Sequence, residues 1–191
     1  MRKDKEIMME YKSGDINALE EIFQRYKRPM LNYAFKLLNN YADAEDVVGE
    51  VFYVLTAQKD AYQPQAKFST WLYTIAHNLC IDRIRKNKKI FPLWFKKNKT
   101  DKDYEELDIP DTKFLPNTPA EEKDTSFFVK RSLEKLPLEQ KEAIVLREYH
   151  GLNYEDIGKV LNCSLEKVKI LIFRARERLR KELLPLMEEL K

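Results

Sequence analysis

The sequence predicts an all-α fold, two small helical domains joined by an irregular linker, and three observations carry that prediction. Apolar residues recur at three- and four-residue intervals in the segments on either side of residues 91–124. Glycine occurs only 4 times in 191 residues, which argues against a turn-rich all-β fold or a glycine-rich phosphate loop. Four of the 8 prolines crowd into residues 91–124 with a run of charge. The expected division is therefore 1–90, a linker over 91–124, and 125–191. Bases outnumber acids in both flanking blocks, while acids prevail between them.

The amino-terminal block reads as consecutive helices. A short one is expected around Glu6–Lys12. Residues Asp15–Asn39 then place Leu19, Ile22, Phe23, Tyr26, Met30, Tyr33, Ala34, Leu37 and Leu38 on one face. Asp15 suits the N-cap, and Pro29 predicts a kink or break. The next helix should run from Asp43 to about Gln58, with acids in its first turn, where the helix dipole favours them. Val47, Val48, Val51, Phe52 and Leu55 form its inner stripe, leaving Asp43, Asp46, Glu50 and Tyr53 outside. That acidic face with an aromatic is either a solvated surface or a dock for a basic partner, and the pattern alone favours the former.

After a loop at Lys59–Lys67 comes FSTWLYTIAHNLCIDRIRKNKK, capped by Ser69 or Thr70. Its inner stripe is Phe68, Trp71, Leu72, Ile75 and Leu79, and Tyr73, His77, Cys80 and Ile84 lie on the other side. Arg83, Arg85, Lys86, Lys88 and Lys89 form a basic end. Cations beside aromatics and an amide, Asn78, suit a single nucleic-acid strand, whose bases stack on rings while ammonium and guanidinium groups hold phosphates. Trp71 reads as core, whereas Tyr62 and Tyr73 look freer to stack. The helix dipole alone would also favour such a basic end.

The linker carries Phe91, Trp94, Phe95, Tyr104 and Phe114, an aromatic content suited to a segment laid against a surface. Helices follow at Ser126–Lys135 and Leu138–Tyr149, separated by Leu136-Pro137 and ended by His150-Gly151. The carboxyl-terminal YEDIGKVLNCSLEKVKILIFRARERLR is a helix-turn-helix: Gly158 permits close approach, Asn162 suits a turn residue with positive φ, and Ser164 can cap the second helix. Leu165, Val168, Ile172, Ala175 and Leu179 form the buried stripe. Glu166, Lys167, Lys169, Ile170, Phe173, Arg174 and Arg178 face outward. Cations on such a helix suit a major groove, against the alternative of a solvated, salt-bridged face.

Composition excludes several classes. Cys80 and Cys163 are too few and too separated for a zinc site or disulfide framework and read as small buried thiols. His77 and His150 look isolated, and no nucleophile-base, metal-ligand or phosphate-loop constellation is present, so neither catalysis, a cofactor nor a metal is expected. The amino terminus lacks a signal-peptide core and no apolar run reaches membrane-spanning length, so a cytoplasmic protein without membrane insertion is expected.

With DAEDVVGEVFYVL, FSTWLYTIAHNLCIDRIR, Leu136-Pro137 and GLNYEDIGKVLNCSLEKVKILIFRARERL in this order, the sequence resembles bacterial RNA polymerase sigma factors of the sigma-70 family. Within that family it is most similar to the extracytoplasmic-function (ECF) subgroup. The resemblance implies a promoter-specificity subunit made of domains two and four. Asp43, Asp46, Glu50 and Tyr53 match the surface that docks on the β′ clamp helices of core polymerase. Tyr62, Lys67, Trp71, Tyr73, Asn78, Arg83, Arg85 and Lys86 fall in or beside the part that reads and opens the minus-10 element. The linker matches a segment threaded near the polymerase active site and RNA exit path.

Arg147, Tyr154, Lys167, Lys169, Ile170, Phe173 and Arg174 fall at or near minus-35 DNA, and the β flap is a further expected polymerase contact. An anti-sigma inhibitor is common in the family. This chain departs from many relatives after the Val168-Lys169 pair, having Ile170 and Leu171 where a polar residue and Arg are usual, and Glu166 at a usually small position. The change trades phosphate attraction for thymine-methyl contact. Two alternatives are a sigma-like decoy that binds a regulator or polymerase without reading promoters, and a stand-alone helix-turn-helix regulator. The latter would leave the acidic and aromatic-basic helices unexplained.

Overall fold

The structure, a computed structural model, describes residues 2–63, 66–90 and 120–189. The described residues form helices with no strand: α1 (Asp4–Lys12), α2 (Ile16–Leu38), α3 (Tyr41–Ala57), α4 (Phe68–Ile90), α5 (Ala120–Glu134), α6 (Leu138–Glu148), α7 (Tyr154–Val160) and α8 (Leu165–Glu189). Helices α1–α4 make one domain and α5–α8 the other. The linker aromatics Phe91 to Phe114 and the path assigned to them lie outside the described residues. Helix α5 begins at Ala120, so the last residues assigned to the linker are helical.

In the first domain α2 is the central strut. Asp15 caps it, accepting from the Asn17 amide at 2.9 Å, and Asn39 ends it in the left-handed conformation at φ 51°. Helix α2 is continuous through Pro29, not broken there. Proline costs a helix interior ~3 kcal/mol, but Tyr26, Met30, Tyr33 and Ala34 are buried on both sides of it, and that burial outweighs the cost. Helix α1 is tied down by the Tyr26 hydroxyl, which donates to Asp4 at 2.5 Å, and by an Arg25–Asp4 ion pair. Helix α3 starts at Tyr41 rather than Asp43 because Asn40 is the cap, accepting from the Asp43 amide at 3.0 Å.

Helix α4 begins at Phe68, so Ser69 and Thr70 lie inside it and cap nothing. The second domain surrounds α6. Gln140, Lys141, Glu142, Ala143, Ile144, Val145 and Leu146 are all buried, because α6 packs on α8 and α7 and also on α2 of the first domain. Burial lowers the pKa of Lys141. At the helix-turn-helix, Asn162 has φ 49° as its position requires, and Ser164 accepts from the Lys167 amide at 3.2 Å. A Cβ on Gly158 would stand 2.9 Å from the Cys163 carbonyl, so the close neighbour is the turn itself more than the second helix.

The two domains share one hydrophobic core. Their junction runs along the side of α4 opposite its first-domain stripe: Tyr73, Ala76 and Cys80 are buried there, α4 packs on α7, and Tyr73 meets His150 of the loop before it. Burial holds the Cys80 thiol up at about 12, well above its ordinary value. Among the described residues no helix is long and apolar enough to cross a membrane.

Candidate nucleic-acid and docking faces

Three groups of side chains follow from the sequence, and the structure treats them differently. The acidic group is brought together. Asp43, Asp46 and Glu50 lie at i, i+3 and i+7 on α3, and Tyr53 follows one turn on, 73% exposed. Their carboxylates converge on one guanidinium. Arg83 of α4 reaches Glu50 at 2.5 Å, Asp46 at 3.2 Å and Asp43 at 3.4 Å. Arg83 was expected beside minus-10 DNA; in this structure its hydrogen bonds go to the acidic face.

The second group does not form one open surface. Asn78, Arg85 and Lys86 are exposed on α4, with Arg85 only loosely paired to Asp82 at 3.7 Å. Tyr62 and Tyr73, expected to be free to stack, are buried at 1% and 3% exposure, while Trp71, expected in the core, is half-buried. Tyr62 packs with Phe68 and Trp71 at ring distances of 5.4 and 5.6 Å, and its hydroxyl donates to the Ala66 carbonyl at 3.1 Å. Burial raises the pKa of both tyrosines.

Tyr73 lies in the junction. Its hydroxyl shares a 2.7 Å hydrogen bond with Nδ1 of His150, whose ring sits 5.0 Å from that of Tyr73 and 5.7 Å from that of Tyr33. Lys67 is exposed but its ammonium meets the buried Asp156 carboxylate at 2.6 Å. His77 is likewise not isolated: its Nδ1 lies 3.2 Å from Glu142 of α6. Nothing local in the sequence marks His150, Asp156 or Glu142 for these contacts, because each partner comes from the other domain.

The third group divides. Lys169, Ile170, Phe173 and Arg174 stand out on α8, with Ile170 49% and Phe173 65% exposed. Lys167 is exposed but paired with Glu139 at 3.0 Å, a hydrogen bond that raises its pKa. Arg147 and Tyr154 are half-buried and stack on one another at 5.1 Å, and Arg147 donates to the Leu152 carbonyl at 2.9 Å, bracing the turn before α7. Leu171, at the position where many relatives carry Arg, is buried. It lines a groove of about 330 Å³ between the domains with His77, Ile81, Ile84 and Glu142. Glu166 is fully exposed, and its own backbone amide and the Ser164 hydroxyl hold its pKa below the ordinary carboxylate value. The outward face therefore carries a fixed negative charge among its cations.

Residues 22–90 match the Sigma-70 region 2 family and residues 129–179 match Sigma-70, region 4. The chain is 34% identical over 179 residues to the ECF RNA polymerase sigma factor SigW of Bacillus subtilis, across 94% of this chain and 96% of that relative. The chain belongs to the ECF RNA polymerase sigma factors. An ECF sigma-E factor of Haemophilus influenzae is 30% identical over 190 residues, 96% of this chain and 97% of that protein. Among solved structures, CnrH in complex with the cytosolic domain of CnrY shares the fold at a TM-score of 0.69 and 22% identity, covering 94% of this chain and 96% of that one. The sigma factor RpoE of Bartonella quintana, in complex with the anti-sigma factor NepR, does so at 0.64 and 23%, covering 88% and 98%. As a sigma factor the chain is a promoter-specificity subunit that binds core RNA polymerase and promoter DNA.

Proposed function

We propose that the three groups divide the sigma function among them without any chemical step of their own. The α3 face of Asp43, Asp46, Glu50 and Tyr53 docks on the β′ clamp helices. The exposed part of α4, Asn78, Arg85 and Lys86, approaches the minus-10 element together with Lys67 and Trp71, while Tyr62 and Tyr73 support that surface from beneath. Lys169, Ile170, Phe173 and Arg174 of α8 meet the minus-35 element. The domain limits that go with this reading are 1–90 and 125–191 around the linker, and the working compartment is the cytoplasm, where polymerase and promoters are. The β flap is a second polymerase contact, and an anti-sigma inhibitor is a further partner, a reading supported by the second protein bound in both solved relatives above.

The observation that carries this division is the convergence of Asp43, Asp46 and Glu50 on a single face beside the exposed Tyr53. Carboxylates in such a row offer a basic helical partner charge complementarity, and Tyr53 offers an anchor with little rotamer entropy to lose. Promoter opening needs no catalysis: unstacking a base costs a few kcal/mol, which a pocket, aromatic contact and polymerase binding together offset. Asp46→Arg combined with Glu50→Arg should abolish capture by core polymerase in a pull-down while leaving the circular-dichroism spectrum unchanged. Capture equal to wild type would remove the docking face from this account.

A further inference from the structure

We propose that α1 is the positioning element for the loop beside the minus-10 face, and that Lys12, at the end of α1, sets the geometry of that loop. The inference rests on the minus-10 role given above to Lys67 and Trp71, and it adds a residue to which the sequence reading assigned nothing. The chain leaves α3 at Gln58, makes one 3-10 turn at Lys59–Ala61 and continues into an extended Tyr62. Lys12 reaches this segment from 50 residues away: its ammonium donates to the Tyr62 carbonyl at 2.9 Å and to that of Asp60 at 3.4 Å. The neighbouring Tyr11 carries the Lys59 ammonium over its ring at 5.6 Å. Two adjacent side chains of α1 therefore hold both ends of residues 59–62.

Holding the Tyr62 backbone also holds what Tyr62 touches. Its ring is buried against Phe68 and Trp71, its hydroxyl donates to the Ala66 carbonyl at 3.1 Å, and the Ala66 amide donates to the Gln63 carbonyl at 3.0 Å. The position set by Lys12 is thus passed to the underside of Trp71 and to the residue before Lys67. Helix α1 can serve as the fixed reference because it is itself firmly packed. Ile7 and Met8 are fully buried, Asp4 accepts from the Tyr26 hydroxyl at 2.5 Å, and Arg2 bridges Glu10 of α1 and Glu21 of α2. Binding groups carried on a loop lose selectivity once they wander by more than about 0.5 Å, so they need a tie to a rigid element. A cation bonded to backbone carbonyls is such a tie, stronger than a neutral hydrogen bond and indifferent to the side chains on either side.

The test uses the full chain bound to core polymerase, titrated with short fluorescent single strands that carry the minus-10 sequence or single-base changes in it. Lys12→Met keeps the alkyl stem and removes the donors. It should weaken the preferred strand about ten-fold, the scale of one charge-assisted hydrogen bond, and the altered strands much less, so that discrimination between bases falls. Lys12→Arg, which still donates, should recover most of the loss. Lys5→Met, which removes the same charge from the exposed side of α1, should behave as wild type. The salt slope of Lys12→Met should match wild type; a slope smaller by about one would make Lys12 a phosphate contact and overturn the proposal. In the free chain, Trp94→Phe leaves Trp71 as the one tryptophan, and adding Lys12→Met should increase quenching of its emission by acrylamide. Unchanged quenching, or no recovery with Lys12→Arg, would also overturn it. Thermal melts identify any loss of fold, and Tyr11→Leu, which removes the second brace, gives a milder reading expected in the same direction. Asn78→Ala separates the two ways of failing. Wild-type discrimination in Lys12→Met beside a defect in Asn78→Ala removes the positioning role alone, whereas wild-type discrimination in both removes the minus-10 reading on which it rests.

Discussion

Arg83 of α4 and Glu50 of α3 meet at 2.5 Å, and the same guanidinium reaches Asp46 at 3.2 Å. One cation from the helix assigned to DNA is thereby committed to the face assigned to polymerase. Partial exposure of both partners limits the pair to about 0.5–1 kcal/mol. A double-mutant cycle of Arg83→Ala and Glu50→Ala, followed by urea unfolding, should return a coupling of that size. Arg83→Ala should leave the salt slope of oligonucleotide binding unchanged, since a residue that contacts no phosphate releases no counterion. A slope reduced by about one would return Arg83 to the DNA face.

The two helical glycines should respond to alanine in opposite directions. At Gly158 the new Cβ meets the Cys163 backbone carbonyl at 2.9 Å, and neither the turn nor α7 can yield cheaply. A loss of roughly 1–3 kcal/mol is expected from such overpacking. At Gly49, on the solvent side of α3, nothing lies within 4 Å, so alanine should stabilise by up to about 1 kcal/mol through helix propensity. Thermal melts of Gly158→Ala and Gly49→Ala check both signs.

Much of this fold follows from local pattern. The buried stripe of α2, the Asp15 cap, the left-handed Asn162 and the outward set on α8 all depend on residues close in sequence, which periodicity and capping chemistry describe directly. What escaped is non-local. Helix α4 buries two sides, one in its own domain and one beneath the other, so Tyr73 looks like a free platform until His150 of the α6–α7 loop and Tyr33 of α2 are known to pack on it. Leu171 escaped for the same reason: it sits beside outward-facing neighbours in sequence but faces α4 across the groove. Long side chains such as Arg83 and Lys67 were assigned by their neighbours in sequence, whereas their partners lie 33 and 89 residues away.

Closure should weaken in acid. Burial first, and the charge of Lys36 second, lower the pKa of His150 from 6.5 to about 4. The groups facing it are Tyr33 and Lys36 from α2 and Tyr73 from α4, none of which offers a carboxylate to compensate a proton. Once the domains part, the imidazole would titrate near its ordinary value, so the open form binds more protons. The contribution of neutral His150 to closure is thus complete above about pH 6.5 and lost progressively as pH falls toward 4, up to about 3 kcal/mol in all. Energy transfer between the two domains should fall as pH drops from about 6.5 toward 4, and His150→Gln should flatten that profile.

The central claim is that this chain directs RNA polymerase to promoters, and run-off transcription measures it most directly. Purified core polymerase, the full chain and a library of promoter fragments should yield transcripts from a subset sharing minus-10 and minus-35 elements, with none from core polymerase alone. Binding of the chain to polymerase without initiation on any template would contradict the account and leave a sigma-like decoy in its place.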